Sequence, residues 1–239
     1  MARRVRPEEY AARRARIIAA ALDLIREKGY QEMTIADLLD RLDISKGAFY
    51  HYFRSKRAVL DGIVEDLTRD ARAALESAAD PSRDAVARLR GHLSAAIAWK
   101  AAHTDELSAV ARMWRHENNA LLKQRISEAS VQAQAPLLAA VVRQGRDEGV
   151  FDASHPEEAA VIIAGMGLHL GDALIDAYLE PAGGEGGPRR REVLVRAHLE
   201  AVERILGARA GSLTDLVPLI AGTEMRPDRP PAPPPGAPA

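Results

Sequence analysis

Residues 34–56 read TIADLLDRLDISKGAFYHYFRSK, and the reading of this stretch decides the fold. Thr34 can cap a helix, because its hydroxyl can accept a backbone N–H one turn on, and Asp37 follows three residues later in capping-box position. Ile35, Leu38, Leu39 and Leu42 recur at i, i+3, i+4 and i+7, which is one apolar helix face. Asp43 and Ile44 make a turn, in which Asp tolerates left-handed geometry. Ser45 can then cap a second helix over residues 46–53. Met33 with Leu38, and Ile44 with Phe49, fall at the two ends of hydrophobic staples. Two short helices so joined form a helix-turn-helix, whose second helix can lie in a DNA major groove.

Phe49 and Phe53, one turn apart, face inward in this reading and leave the opposite side free. Lys46 offers charge to phosphate or guanine. Gly47 and Ala48 let the backbone approach, and Ala48 can touch a thymine methyl. Tyr50, His51 and Tyr52 can donate hydrogen bonds to phosphate. Lys56 stands in the first turn of the next helix, after the cap Ser55. A cation is mildly unfavourable there, so an outside partner such as phosphate is expected. The candidate DNA-contacting set is Thr34, Ser45, Lys46, Gly47, Ala48, Tyr50, His51, Tyr52 and Lys56.

The segment resembles the DNA-binding domain of the TetR family of bacterial transcriptional regulators. That family's pattern runs from a Thr through an apolar helix and a Gly-Val-Ser-like turn to x-Gly-x-Leu-Tyr-x-Tyr-Phe and x-Ser-Lys. Here it appears as Thr34, Ile44-Ser45, Gly47, Phe49-Tyr50, Tyr52-Phe53 and Ser55-Lys56. Asp43 departs from the common turn glycine, and Leu39 and Leu42 from small alanines. The likeness in motif covers roughly residues 10–67.

Upstream, Ile17, Ile18, Ala21, Leu22 and Ile25 mark one face of a helix over residues 7–28, opened by Pro7, Glu8 and Glu9 and stopped by Gly29. Arg3, Arg4 and Arg6 precede it and Arg13, Arg14 and Arg16 lie on it, a basic arm that can follow a phosphate backbone. Residues 1–57 carry 13 Lys+Arg and 8 Asp+Glu, a net +5, against −6 for the remainder, so the near-neutral total of −1 hides a basic N-terminal end. That asymmetry suits phosphate binding at one end only.

The 239 residues are 47% hydrophobic, enough for a sizeable core. With no cysteine there is no disulfide, thiol catalysis or zinc-thiolate site. No signal peptide and no apolar run of membrane-spanning length are visible, and a cytoplasmic protein with no membrane partner is expected. Few aromatics and much Ala, Leu and Arg point to an all-α fold. It divides into a three-helix helix-turn-helix DNA-binding domain (1–55), a helical effector-binding and dimerisation domain (56–210) and a partly disordered Pro-rich tail (211–239).

In the second domain, helical patterns cover 56–79, 82–103, 104–116, 117–148 with a break or kink at Pro136, 156–179 and 189–208, with a flexible loop at 183–188. Their number and order resemble the TetR ligand-binding and dimerisation domain, which implies a homodimer built on the last two helices. Ala164, Gly167 and Gly171 on one side, and Leu194, Ala197, Ala201 and Ile205 as a seam, are the expected interface.

For a small, apolar effector, Trp99, Met113, Trp114, Phe151 and Met166 are candidate cavity walls, and His103, His116, His169 and Asp172 candidate polar groups. His169, Asp172 and Asp176, at i, i+3 and i+7, are the one metal-like spacing; no metal or other cofactor is assigned. The tail, residues 226–239, holds seven of the 14 prolines, while residues 212–221 read as a short amphipathic piece that can dock. The resulting expectation is a dimeric repressor, not an enzyme, that leaves a palindromic double-stranded DNA operator when the effector binds. The alternative is a helical metal-binding protein or enzyme with a vestigial DNA-binding domain.

Overall fold

A computed structural model of the chain describes residues 7–116, 120–179 and 186–222, all-α, with no strand among them. The basic residues Arg3, Arg4 and Arg6, the loop residues 183–185 and the proline-rich segment 226–239 lie outside the described residues. Among those described, no helix is long and apolar enough to cross a membrane. The chain forms two compact units, the first from residues up to 70 together with 106–126, the second from 71–105 and the residues after 126. The first unit therefore reaches past the boundary expected at residue 55.

In the first unit, α1 (Pro7–Glu32), α2 (Ile35–Leu42), α3 (Lys46–Tyr52) and the first half of α4 (Lys56–Ser77) enclose one core. Ile17, Ile18, Ala21, Leu24 and Ile25 of α1 meet Met33, Leu38, Phe49, Phe53, Val59 and Ile63 there. Ala109 and Val110 of α6 (Thr104–His116) complete it. Gly29 does not end α1 outright. It takes φ 83°, a left-handed value that kinks the helix before its last turn.

Lys56 departs from expectation. Its ammonium donates to the carbonyls of Gln31 and Met33, 3.0 Å each, and lies 4.3 Å from the Tyr30 ring centre. The outside partner inferred for it is the carbonyl-rich end of α1, where a cation is favoured, so two of its three donors are committed within the fold.

In the second unit, α5 (Ala85–Ala102), α7 (Ala120–Asp147), α8 (Pro156–Leu179) and α9 (Gly186–Leu206) pack around Leu89, Leu138, Val142, Ile163, Val195 and Val202. Asp84, rather than Ser82, caps α5 by accepting from Ala87 N at 2.8 Å, while Ser82 bonds Asp80. Pro136 does not break α7, which continues through it with the proline on the exposed side. α9 begins at Gly186 and ends at Leu206, earlier at both ends than the expected 189–208. Phe151 is core, its ring lying where a Cβ on Gly145 would fall, so only glycine fits that turn of α7.

The docking of residues 212–221 has a polar anchor. Glu203 on α9, 5% exposed, accepts from Gly211 N at 2.9 Å and Leu213 N at 2.8 Å. Arg90 donates to Ser212 O at 2.6 Å. A short 3₁₀ turn (Thr214–Leu216) and α10 (Val217–Ala221) then bury Leu213, Leu216, Val217 and Ile220 in the second core.

Candidate nucleic-acid interface and ligand cavity

The helix-turn-helix forms by local capping. Thr34 Oγ1 accepts from Asp37 N at 3.2 Å, and Asp37 Oδ2 accepts from Thr34 N at 2.6 Å and from Thr34 Oγ1 at 2.7 Å, the reciprocal capping box. Lys28 reaches the same carboxylate at 2.6 Å. Hydrogen bonds from Lys28 and Thr34 hold Asp37 well below the usual carboxylate range, at about 2. Asp43 takes the left-handed conformation, φ 50° and ψ 52°, where the sequence departs from glycine. Ile44 N closes the turn on Leu39 O at 3.1 Å, and Ser45 Oγ accepts from Ala48 N at 3.2 Å. The hydroxyls of Thr34 and Ser45 thus shape the two helices before they can touch any ligand.

On α3, Phe49 is fully buried and Phe53 nearly so. Lys46, Gly47, Tyr50 and His51 are exposed, Tyr50 by 43%, and Ala48 and Tyr52 half-buried. His51 packs edge-on against Tyr10 of α1, and Tyr52 at a tilt, at centroid distances of 5.7 and 4.8 Å, so their rings are oriented by α1. Arg13 and Arg16 of α1 line one shallow depression with Ala48 and Tyr52. Arg14, their neighbour, turns the other way and pairs with Asp66 at 2.9 Å and Glu65 at 3.0 Å. Arg54 and Arg57, not singled out in the sequence, are exposed and make no ion pair among the described residues. The α3 face thus carries Lys46 and polar aromatic groups flanked by the exposed cations Arg13, Arg16, Arg54 and Arg57, which suits a polyanion.

The second unit holds a cavity of about 90 Å³ between α5, α7, α8, α9 and α10. Leu93, Ile97, Leu138 and Leu174 contribute apolar wall, and His92, Lys100, Gln134 and His198 the polar groups. Burial pushes His92 down to about 4. Burial, then the nearby Lys100 charge, pushes His198 to about 4. Lys100 is itself lowered by burial, partly offset by the Asp172 carboxylate. A wider, open groove of about 770 Å³ runs along α7 past Pro136 to Val161.

Among the effector candidates whose side chains are described, only Asp172 bears on this cavity, through its charge on Lys100. Trp99 stacks on His103 at 4.5 Å, and His103 Nδ1 lies 2.9 Å from Trp99 O on the same helix. Met166 is half-buried outside the lining, and His169 is exposed. The side chains of Met113, Trp114, His116 and Asp176 lie outside those described, and no metal-like cluster gathers among the described residues. The missed residues did carry a signal. His92 and Lys100 share the stripe of Leu89, Leu93 and Ala96, and His198 that of Val195, Leu199 and Val202.

Residues 17–63 match the family model for bacterial regulatory proteins, tetR family. The likeness to that family lies in this N-terminal segment of the chain. Among curated relatives, the Bacillus subtilis HTH-type transcriptional regulator YvdT, described as uncharacterized, is 34% identical over 61 residues, 26% of this chain and 31% of YvdT. The Escherichia coli HTH-type transcriptional regulator BetI is 32% identical over 102 residues, 43% of this chain and 51% of BetI. The chain thus spans about half or less of the relatives it matches. Both are named as HTH-type transcriptional regulators. A TetR-family transcriptional regulator from Pectobacterium atrosepticum has a similar fold, with TM-score 0.60 at 20% identity over 84% of this chain and 97% of that one.

Ala164, Gly167 and Gly171, expected at a dimer interface, line the cavity. Among the described residues, the large apolar side chains left outward on α8 and α9 are Val161 (49% exposed), Ile162 (52%) and Val193 (58%). On the seam of α9, Ala197 is exposed and Leu194, Ala201 and Ile205 half-buried.

Proposed function

We propose that the protein is a dimeric DNA-binding transcriptional repressor released from a palindromic operator by a small apolar effector. The observation that carries this reading is the α3 face: Lys46, Gly47, Ala48 and Tyr50 stand out on a helix fixed by the buried Phe49 and Phe53. A short helix offers few base contacts, so a second copy supplies the affinity and sets the operator symmetry. The outward Val161, Ile162 and Val193 support α8 and α9 as the dimer surface. The enclosed cavity supports an effector site. A ligand there acts by preferring one spacing of the two recognition helices, and the coupling equals its differential affinity for the two states.

Binding of the purified protein to DNA flanking its own gene, at two salt concentrations against random competitor, tests the reading. Tight, competitor-resistant binding is expected, weakened in Tyr50→Ala with helicity and melting temperature retained. Binding lost equally to salt and competitor would leave only the phosphate attraction there. Unchanged affinity in Tyr50→Ala would move the DNA surface away from α3.

A further inference from the structure

We propose that the cavity of the second unit takes an anionic apolar molecule, a carboxylate on a hydrocarbon body, with Lys100 as the group that pairs with it. The proposal rests on the reading of this cavity as the effector site. Lys100 is a cavity residue whose ammonium neither donates a hydrogen bond to any described residue nor pairs with any described carboxylate within 4.0 Å. The contrast with the rest of the unit is sharp. Arg90 reaches Ser212 and Asp215, and Arg143 reaches Glu157. A half-buried ammonium set in an apolar wall, with no carboxylate in pairing range, is costly to keep. Replacing it by an apolar residue would remove that cost, so its presence in an apolar wall is explained by something that enters and compensates it.

The surroundings select the sign and shape of that partner. Asp172 is close enough for its charge to favour the ammonium form of Lys100 yet lies beyond pairing range, so the lysine keeps an open pairing direction. On the α8 side Lys100 Nζ lies beside Gly171, 3.8 Å from where an added Cβ would stand. His198 is near enough to feel the Lys100 charge and is held neutral, as is His92, so each retains an N–H to donate to a second carboxylate oxygen. Gln134 is less available, since its Nε2 already donates to Ser130 O at 3.3 Å. Leu93, Ile97, Leu138 and Leu174 leave only hydrocarbon for the remainder of the ligand. A cationic ligand would meet Lys100 as a like charge. A neutral one would leave the ammonium uncompensated.

Calorimetric titration of the full chain with hexanoate and octanoate, and with the alcohols and primary amines of the same lengths, tests this. The carboxylate is expected to bind about 10–100-fold tighter than its alcohol, the range of one charge-assisted hydrogen bond, and the amine weaker than either. Lys100→Met, which keeps the length of the stem, should erase the preference and leave alcohol binding unchanged or tighter. The wild-type ratio stands as a test even if that variant folds poorly. Alcohols binding as well as carboxylates, or a carboxylate preference that survives Lys100→Met, would overturn the proposal while leaving the cavity as an apolar effector site. No binding by any of the three classes would overturn both.

Discussion

Lys56 and Lys100 stand in the two units of the chain and have opposite surroundings. Lys56 donates to two backbone carbonyls and lies on an aromatic ring; Lys100 lines an apolar cavity with no hydrogen-bond partner among the described residues. The units differ in the same way. The helix-turn-helix unit closes its core on Phe49 and Met33 and satisfies its helix ends with its own side chains. The second unit leaves a space of about 90 Å³ and puts two neutral histidines and a lysine around it. A unit that presents a fixed helix to a partner gains from a sealed core, whereas one that responds to a small molecule must keep unfinished packing somewhere.

The strongest test of the sealed half is Phe49→Ala. Phe49 is fully buried between α1 and α4, and its loss should destabilise the first unit by about 3–5 kcal/mol, read by chemical denaturation. Unchanged unfolding would mean that this core tolerates a void as the other does, and the contrast would fail.

The open half should show itself in acid. His92 is held at about 4 when folded against an ordinary 6.5, so between those values the unfolded chain binds the extra proton. Stability is therefore complete above pH 6.5 and falls as pH drops towards 4, by up to about 3 kcal/mol from this residue. His92→Leu should make the fall of the denaturation midpoint across that window shallower, the remainder coming from His198, which is held at about 4 in the same cavity. A variant with the wild-type slope would mean that His92 titrates freely and the cavity is wetter than its walls suggest.

How much of this was legible follows from the range of the interactions. The helix-turn-helix was readable because its determinants lie within three to five residues: Thr34 with Asp37, Ser45 with Ala48, Met33 with Leu38. The same local logic found the docking piece at 212–221, though not its anchor Glu203. The cavity was not readable, because it exists only where α5, α7, α8, α9 and α10 fail to fill one space. Aromatic and Met content suggested Trp99 and Met166, whereas the lining came from polar residues within apolar stripes. Helical spacing put Gly167 and Gly171 on one face of α8 but could not show that they line the cavity, since it gives a face and not what lies opposite it.

Lys56→Met should cost about 2 kcal/mol, because the carbonyls of Gln31 and Met33 lose a charged donor. If Lys56 serves the fold, the melting temperature falls and the slope of log affinity against log salt is unchanged. A slope smaller by about 1, with stability retained, would put this ammonium on phosphate and undo the contrast with Lys100.

The smallest expected effect is at Thr34. Its hydroxyl both accepts from Asp37 N and donates to the Asp37 carboxylate, so its first duty is to α2. Thr34→Ala should cost about 1 kcal/mol, and Thr34→Ser much less because serine keeps the cap. The change also has a signature in acid. Asp37, held at about 2, contributes stability that is present above its ordinary 3.8 and is lost as pH falls towards 2. Without the Thr34 hydroxyl one of its donors is gone, so the acid limb of the unfolding profile should move upward in Thr34→Ala and stay in place in Thr34→Ser. If both variants keep the wild-type limb while DNA affinity falls in the alanine variant alone, the hydroxyl acts on the operator and not on the helix, and self-capping would no longer distinguish this unit at its first turn.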